Sequence, residues 1–130
     1  MRQRGATLVE AAIVLPILVF VLFGLVQFAL IFTTEANLRA AAATGARVVS
    51  LSNPPPTDGE IVAAARAAAT AMLDDAKLQV AVSAGPINDT KRLNLTYTLP
   101  LLMPQIVPGS VGGNLDIVSS AIGKCNGACP

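Results

Sequence analysis

The stretch that decides the fold is Gly5-Ala-Thr-Leu-Val-Glu10-Ala-Ala-Ile-Val-Leu-Pro16-Ile-Leu-Val-Phe-Val-Leu-Phe-Gly24-Leu-Val-Gln27-Phe-Ala-Leu-Ile-Phe32. From Ala11 to Phe32 it contains no charge, and Gln27 is its only strongly polar member. As a helix rising 1.5 Å per residue the run is about 33 Å long, enough for a hydrocarbon core of ~30 Å. Arg2 and Arg4 precede it, and Glu35, Arg39 and Arg47 follow. Two arginines ahead of the span favour a cytoplasmic N-terminus, although the two beyond it weaken the asymmetry. The apolar region of a cleaved secretory signal usually runs about 7–15 residues, which is shorter than this one. A plain single-span anchor and a helix that assembles with its own kind both fit the length.

Glu10 separates these readings. A carboxylate at the lip of an apolar helix is costly if it enters the hydrocarbon, about 2.5–3.5 kcal/mol at the centre and less near the interface. It is tolerable in the headgroup layer, where it also favours the positive end of the helix dipole. The surroundings are more specific than the residue. A short basic leader ends in Gly5, and Glu10 stands five residues beyond it. This arrangement resembles a type IV prepilin. The resemblance implies that a prepilin peptidase cuts between Gly5 and Ala6 on the cytoplasmic face. The mature chain would then start at Ala6 and have Glu10 as its fifth residue. Cutting there would remove two of the nine basic side chains and create a new α-amine with an ordinary pKa of about 8. In the pilin scheme the glutamate of an incoming subunit meets the amine of a neighbour, so Glu10 and Ala6 are the expected register-setting groups. Such a pair specifies alignment more surely than it adds stability.

Pro16, Gly24 and Gln27 are the expected packing and kink positions. Pro16 lacks an N–H, so it disturbs the helix near Ala12. Gly24 offers a close approach to a neighbouring helix. Gln27 either hydrogen-bonds across such a contact or lies near the outer interface. Leu8-Val-Glu-Ala-Ala-Ile-Val-Leu-Pro16 together with Phe23-Gly-Leu-Val-Gln-Phe28 is similar to the TadE-like family, small pilin-like proteins of tight-adherence pili. Members of that family often carry Glu where this chain has Gln27. Leu38-Arg-Ala-Ala-Ala-Ala-Thr-Gly-Ala-Arg47 resembles the family's helix extension. The resemblance implies a bacterial inner-membrane subunit with its head in the periplasm, later placed in a pilus at the cell surface. The implied partners are the membrane, the prepilin peptidase, other pilin subunits and a pilus assembly platform. The alternative is a single-span protein whose head binds a partner and never assembles.

Composition narrows the function from the other side. Of 130 residues, 53% are hydrophobic and only 13% charged, against a usual charged fraction of about 25%. The absence of histidine removes His-based acid–base and nucleophile chemistry and His-ligated metals. A formal charge of +1 without a basic run offers no footing for nucleic acid. No nucleotide loop or nucleophile elbow is present, so the expectation is a non-enzyme without a cofactor.

Working outward, the first helix is expected to run to about Val49, because Ala36 to Ala46 is dense in the best helix former. The expected organisation is a leader at 1–5, an assembly helix with its extension at 6–50, a Pro-rich linker at 51–57 and a head at 58–130. Thr57 with Glu60 has capping-box spacing and opens an Ala-rich helix expected to reach about Asp75. Its apolar face is Ile61, Ala64, Ala65, Ala68 and Met72. The period then changes to two. Leu78, Val80, Val82 and Ala84, then Leu93, Leu95, Tyr97 and Leu99, predict a hairpin across Gly85-Pro86 and Asn88-Asp89. Leu115 to Ile122 predicts a third strand. The fold class is therefore α+β: a long N-terminal helix, then a small head with an Ala-rich helix on a three-stranded antiparallel sheet. Leu101 to Val107 is an apolar loop, expected either at an interface or folded over the sheet edge. Cys125 and Cys129 are expected to form a local disulfide if the head is extracytoplasmic, with unpaired or intermolecular thiols as the second possibility. Closing so short a loop contributes only ~2–3 kcal/mol. A metal would need two further ligands.

Overall fold

A computed structural model describes residues 3–71, 73–102, 107, 110, 112–127 and 129, with the backbone alone at 3–8. The chain is α+β, as its two periodicities predict. Helix α1 spans Gln3–Leu51, and helix α2 spans Asp58–Thr70. After a short 3₁₀ turn at Asp75–Lys77 come strands β1 (Leu78–Ala84), β2 (Thr90–Pro100) and β3 (Asn114–Lys124). They form one antiparallel sheet in the order β1-β2-β3. The register pairs Leu78 with Tyr97 and Tyr97 with Ile117, and Leu93 with Ala121. One sheet face thus collects Leu78, Val80 and Val82, then Leu93, Leu95, Tyr97 and Leu99, then Leu115, Ile117, Ser119 and Ala121.

Both helices lie against the sheet. The distal half of α1 packs on β2 and β3, with α2 beside it against α1 and β1. Leu38, Ala41, Ala42, Gly45, Ala46 and Val49 are buried. Their three- and four-residue spacing is one helix face. The small residues on that face let the backbones approach closely. A Cβ on Gly123 would lie 2.7 Å from both the Ala46 carbonyl oxygen and the Val49 Cβ. A Cβ on Gly45 would collide with the Leu93 side chain and reach within 3.1 Å of the Ala65 Cβ. Glycine at these two points is a packing requirement. The core is thus Leu38, Val49, Ile61, Leu93 and Leu95, all wholly buried, with Tyr97 over them.

Helix α2 ends earlier than expected, at Thr70 instead of near Asp75. The Asp74 carboxylate accepts the Ala76 N–H at 3.2 Å and caps the 3₁₀ turn, offering the backbone an alternative to the helical ladder. Its buried stripe is Ile61, Ala65 and Ala69, while Ala68 is exposed and Met72 lies outside the described residues. The capping box is formed. Glu60 accepts the Thr57 N–H at 2.8 Å and its hydroxyl at 3.0 Å, and the Glu60 N–H donates back to the Thr57 hydroxyl. The two bonds from Thr57, the backbone one first, hold the Glu60 carboxyl below its ordinary pKa. A lowered folded pKa stabilises the fold above the unfolded value of about 4.3, and that contribution is lost as the pH falls through the folded value. Helicity of the full chain in detergent is therefore expected to fall on acidification below about pH 4.3. Glu60→Gln should flatten that part of the circular-dichroism titration; an unchanged acid limb would show that other carboxylates set it.

Two ties hold the head together: an ion pair that is unannounced by the sequence, and a disulfide that is the pairing expected of Cys125 and Cys129. Lys91 is buried at 6% exposure, although it stands in an alternating strand, and its Nζ donates to Asp58 Oδ1 at 2.5 Å. This pair ties the start of α2 to β2. Cys125 and Cys129 are joined by a disulfide with the Cα atoms 5.7 Å apart. The Cys125 N–H donates to the Asp89 carbonyl at 2.8 Å, fastening the end of β3 to the hairpin turn.

Candidate functional site

The candidate site is the proximal part of α1. The backbone is helical from Gln3, through Gly5, Ala6 and Pro16, with no break before Leu51. Glu10 is exposed and has no ion-pair partner among the described residues. It lies four residues, one helical turn, beyond Ala6 on the same side of the helix. At a chain start placed at Ala6, it would stand in the first turns, where a carboxylate is favoured by the dipole. The residues that would form the processing site and the register pair are thus contiguous on one helix end.

Above Glu10 the helix is bare. From Val9 to Val26 every residue is exposed except half-buried Gly24. The large apolar side chains in this stretch remain 40–63% exposed, and none of the described residues covers them. The sixteen residues from Ala11 to Val26 form a continuous apolar surface far larger than the patches a soluble monomer leaves open. A Cβ at Gly24 would meet nothing within 4 Å. Its notch is therefore open to another molecule. The surface carries apolar contact and one carboxylate, a chemistry of association. Among the described residues no group of three His, Cys, Asp or Glu is placed to hold a metal. A shallow cleft lined by Val48, Ser52, Asn53, the three prolines at 54–56 and Glu60 has one carboxylate, which Thr57 already engages.

Gln27 is engaged within its own chain. It is 4% exposed, and its Oε1 accepts the backbone N–H of Leu102 at 3.0 Å. Its partner is the connection between β2 and β3. The head-facing stripe of α1 therefore starts at Gln27 and continues through Ile31, Thr34 and Leu38. In the loop read as apolar from 101 to 107, Leu101 is half-buried and Leu102 exposed, while 103–106 lie outside the described residues. No signal in sequence pairs residues 27 and 102. An amide inside an apolar run does announce that some buried polar partner exists.

The chain thus has one helix long and apolar enough to cross a bilayer, with a small α+β head folded around its far half. Residues 5–47 match the TadE-like protein family, and the match spans the helix that carries Gly5, Ala6, Glu10, Pro16, Gly24 and Gln27. No curated protein and no solved structure matches the chain significantly. The family match and the apolar helix together support a pilus-associated, membrane-anchored protein.

Proposed function

We propose that this chain is a structural subunit of a tight-adherence type IV pilus, released from its leader by a prepilin peptidase after Gly5 and assembled through α1. The observation that carries the reading is the bare helix surface from Val9 to Val26, directly after the Gly5–Glu10 motif and within the matched family segment. In the bilayer, lipid covers that surface. In a filament, equivalent helices would cover it, so a subunit can pass from one setting to the other without refolding its head. The Ala6 amine of one subunit would meet Glu10 of the next, a charge-assisted bond that fixes axial register in an apolar bundle. The head would sit in the periplasm before assembly and on the filament exterior afterwards, with the assembly platform acting on the membrane-embedded form.

The N-terminal mass of the protein, expressed with and without a prepilin peptidase, tests this. A product beginning at Ala6 only when the peptidase is present is the expected result. A chain beginning at Met1 in both preparations would remove the prepilin assignment and leave a membrane anchor with a partner-binding head.

A further inference from the structure

The uncharged run in sequence extends to Phe32, yet the tertiary structure interrupts it five residues earlier. At Gln27 the β2–β3 connection reaches α1, and the Leu102 N–H is bonded to the Gln27 side chain across 75 residues of sequence. The base of the same connection is closed by the Leu101 N–H donating to the Gly113 carbonyl at 2.9 Å. A loop backbone does not lie among lipid tails, where its peptide groups have no water to bond. Yet the Leu102 side chain is 61% exposed, and its backbone is bonded to Gln27, the residue that directly follows the bare apolar stretch ending at Val26. An apolar side chain presented on a polar backbone, at the end of a lipid-covered helix, suits the boundary between headgroups and acyl chains.

Resting on the membrane-anchor reading above, we propose that α1 leaves the hydrocarbon at Gln27, not at Phe32, and that the head lies on the bilayer surface with Leu102 as its lipid contact. Phe28, Leu30 and Phe32, which are 46–65% exposed, then stand in the headgroup layer. The register has a consequence at the other end. A core of ~30 Å needs about 20 residues, so counting down from Val26 places the inner edge near Thr7. Glu10 is then just inside the hydrocarbon, and the peptide bond between Gly5 and Ala6 is at the aqueous surface, within reach of a soluble-side or interfacial protease site.

Single cysteines at Leu22, Leu25, Leu30, Phe32 and Leu102 in the full chain, each carrying a nitroxide, test the register in phosphatidylethanolamine/phosphatidylglycerol vesicles. The native cysteines are held in their disulfide and do not take the label. The readout is relative collision with lipid-soluble oxygen and a water-soluble nickel chelate. Labels at 22 and 25 should be deep, and labels at 30, 32 and 102 should fall at the headgroup level, with at least a several-fold rise in chelate collision over position 22. Labels at 30 and 32 as deep as that at 22 would overturn the boundary while leaving the membrane anchor intact. A fully aqueous label at 102 would overturn the lipid contact. Aqueous labels at all five positions would overturn the anchor reading itself.

Discussion

Replacing Glu10 with alanine is expected to leave the protein cleaved and in the membrane, yet to remove at least nine-tenths of it from sheared filaments, roughly the effect of losing 1.4 kcal/mol or more per contact. The helix loses nothing it needs for insertion, because an apolar residue near the bilayer edge is easier to accommodate than a carboxylate. What it loses is the partner for the amine that cleavage creates. In an apolar bundle that ammonium would be buried without a counter-charge, and removing one partner of a buried pair costs far more than the pair contributes when intact. Glu10→Gln separates charge from hydrogen bonding. It keeps an acceptor but not the anion, and should incorporate poorly although better than alanine. Quantitative immunoblots of sheared filaments against washed membranes read the result. Normal incorporation of Glu10→Ala would show that α1 packs without this pair and would favour an anchor whose head does the binding.

The second large effect lies in the head. Gly123→Ala is expected to destabilise the fold by about 1–3 kcal/mol, the range for forced overpacking. The added Cβ would sit 2.7 Å from the Ala46 carbonyl oxygen and from the Val49 Cβ. One obstacle is helix backbone and the other is the root of a wholly buried side chain, so neither can rotate away. Relief requires α1 to lift off β3, which would open the core at Val49. For a small domain with ~5–15 kcal/mol of total stability the loss is substantial. Gly24→Ala is the control, since its Cβ meets nothing within 4 Å. Urea unfolding in detergent, followed by the fluorescence of Tyr97, the only tyrosine in a chain without tryptophan, measures both. Equal midpoints for Gly123→Ala and the parent would mean that α1 does not lie on β3 as described.

These two predictions draw on different kinds of information. Glu10 stands out in the sequence because its cost in lipid is a property of one residue in a local apolar run. The capping box at Thr57 and Glu60, the hairpin alternation and the third strand were legible because each depends on neighbours within a few positions. Gly123 was not legible. Nothing in Ala121-Ile122-Gly123-Lys124 distinguishes a packing glycine from a strand weakness until α1 is laid across it. The same holds for which face of β3 is buried. Ile117 points into the core while Val118 and Ile122 remain exposed, and either set could have been the inner one. Lys91 is the plainest case. Strand alternation assigns it to the same face as Leu93, and only the approach of Asp58 makes a buried ammonium tolerable there.

The sequence alone determined the elements and the plan: an apolar helix with a carboxylate at its lip, a proline stop, a capped Ala-rich helix and three strands of period two. Local sterics, capping and hydropathy act over a few residues, and a linear string records them in full. Only the tertiary structure decided that the far half of the anchor helix is itself the core of the head, that Gly45 and Gly123 are its contact points, and that Gln27 belongs to the head. Those outcomes depend on surfaces brought together across as many as 75 residues. Their energies come from close packing and from satisfying buried polar groups, which do not exist until the chain has folded.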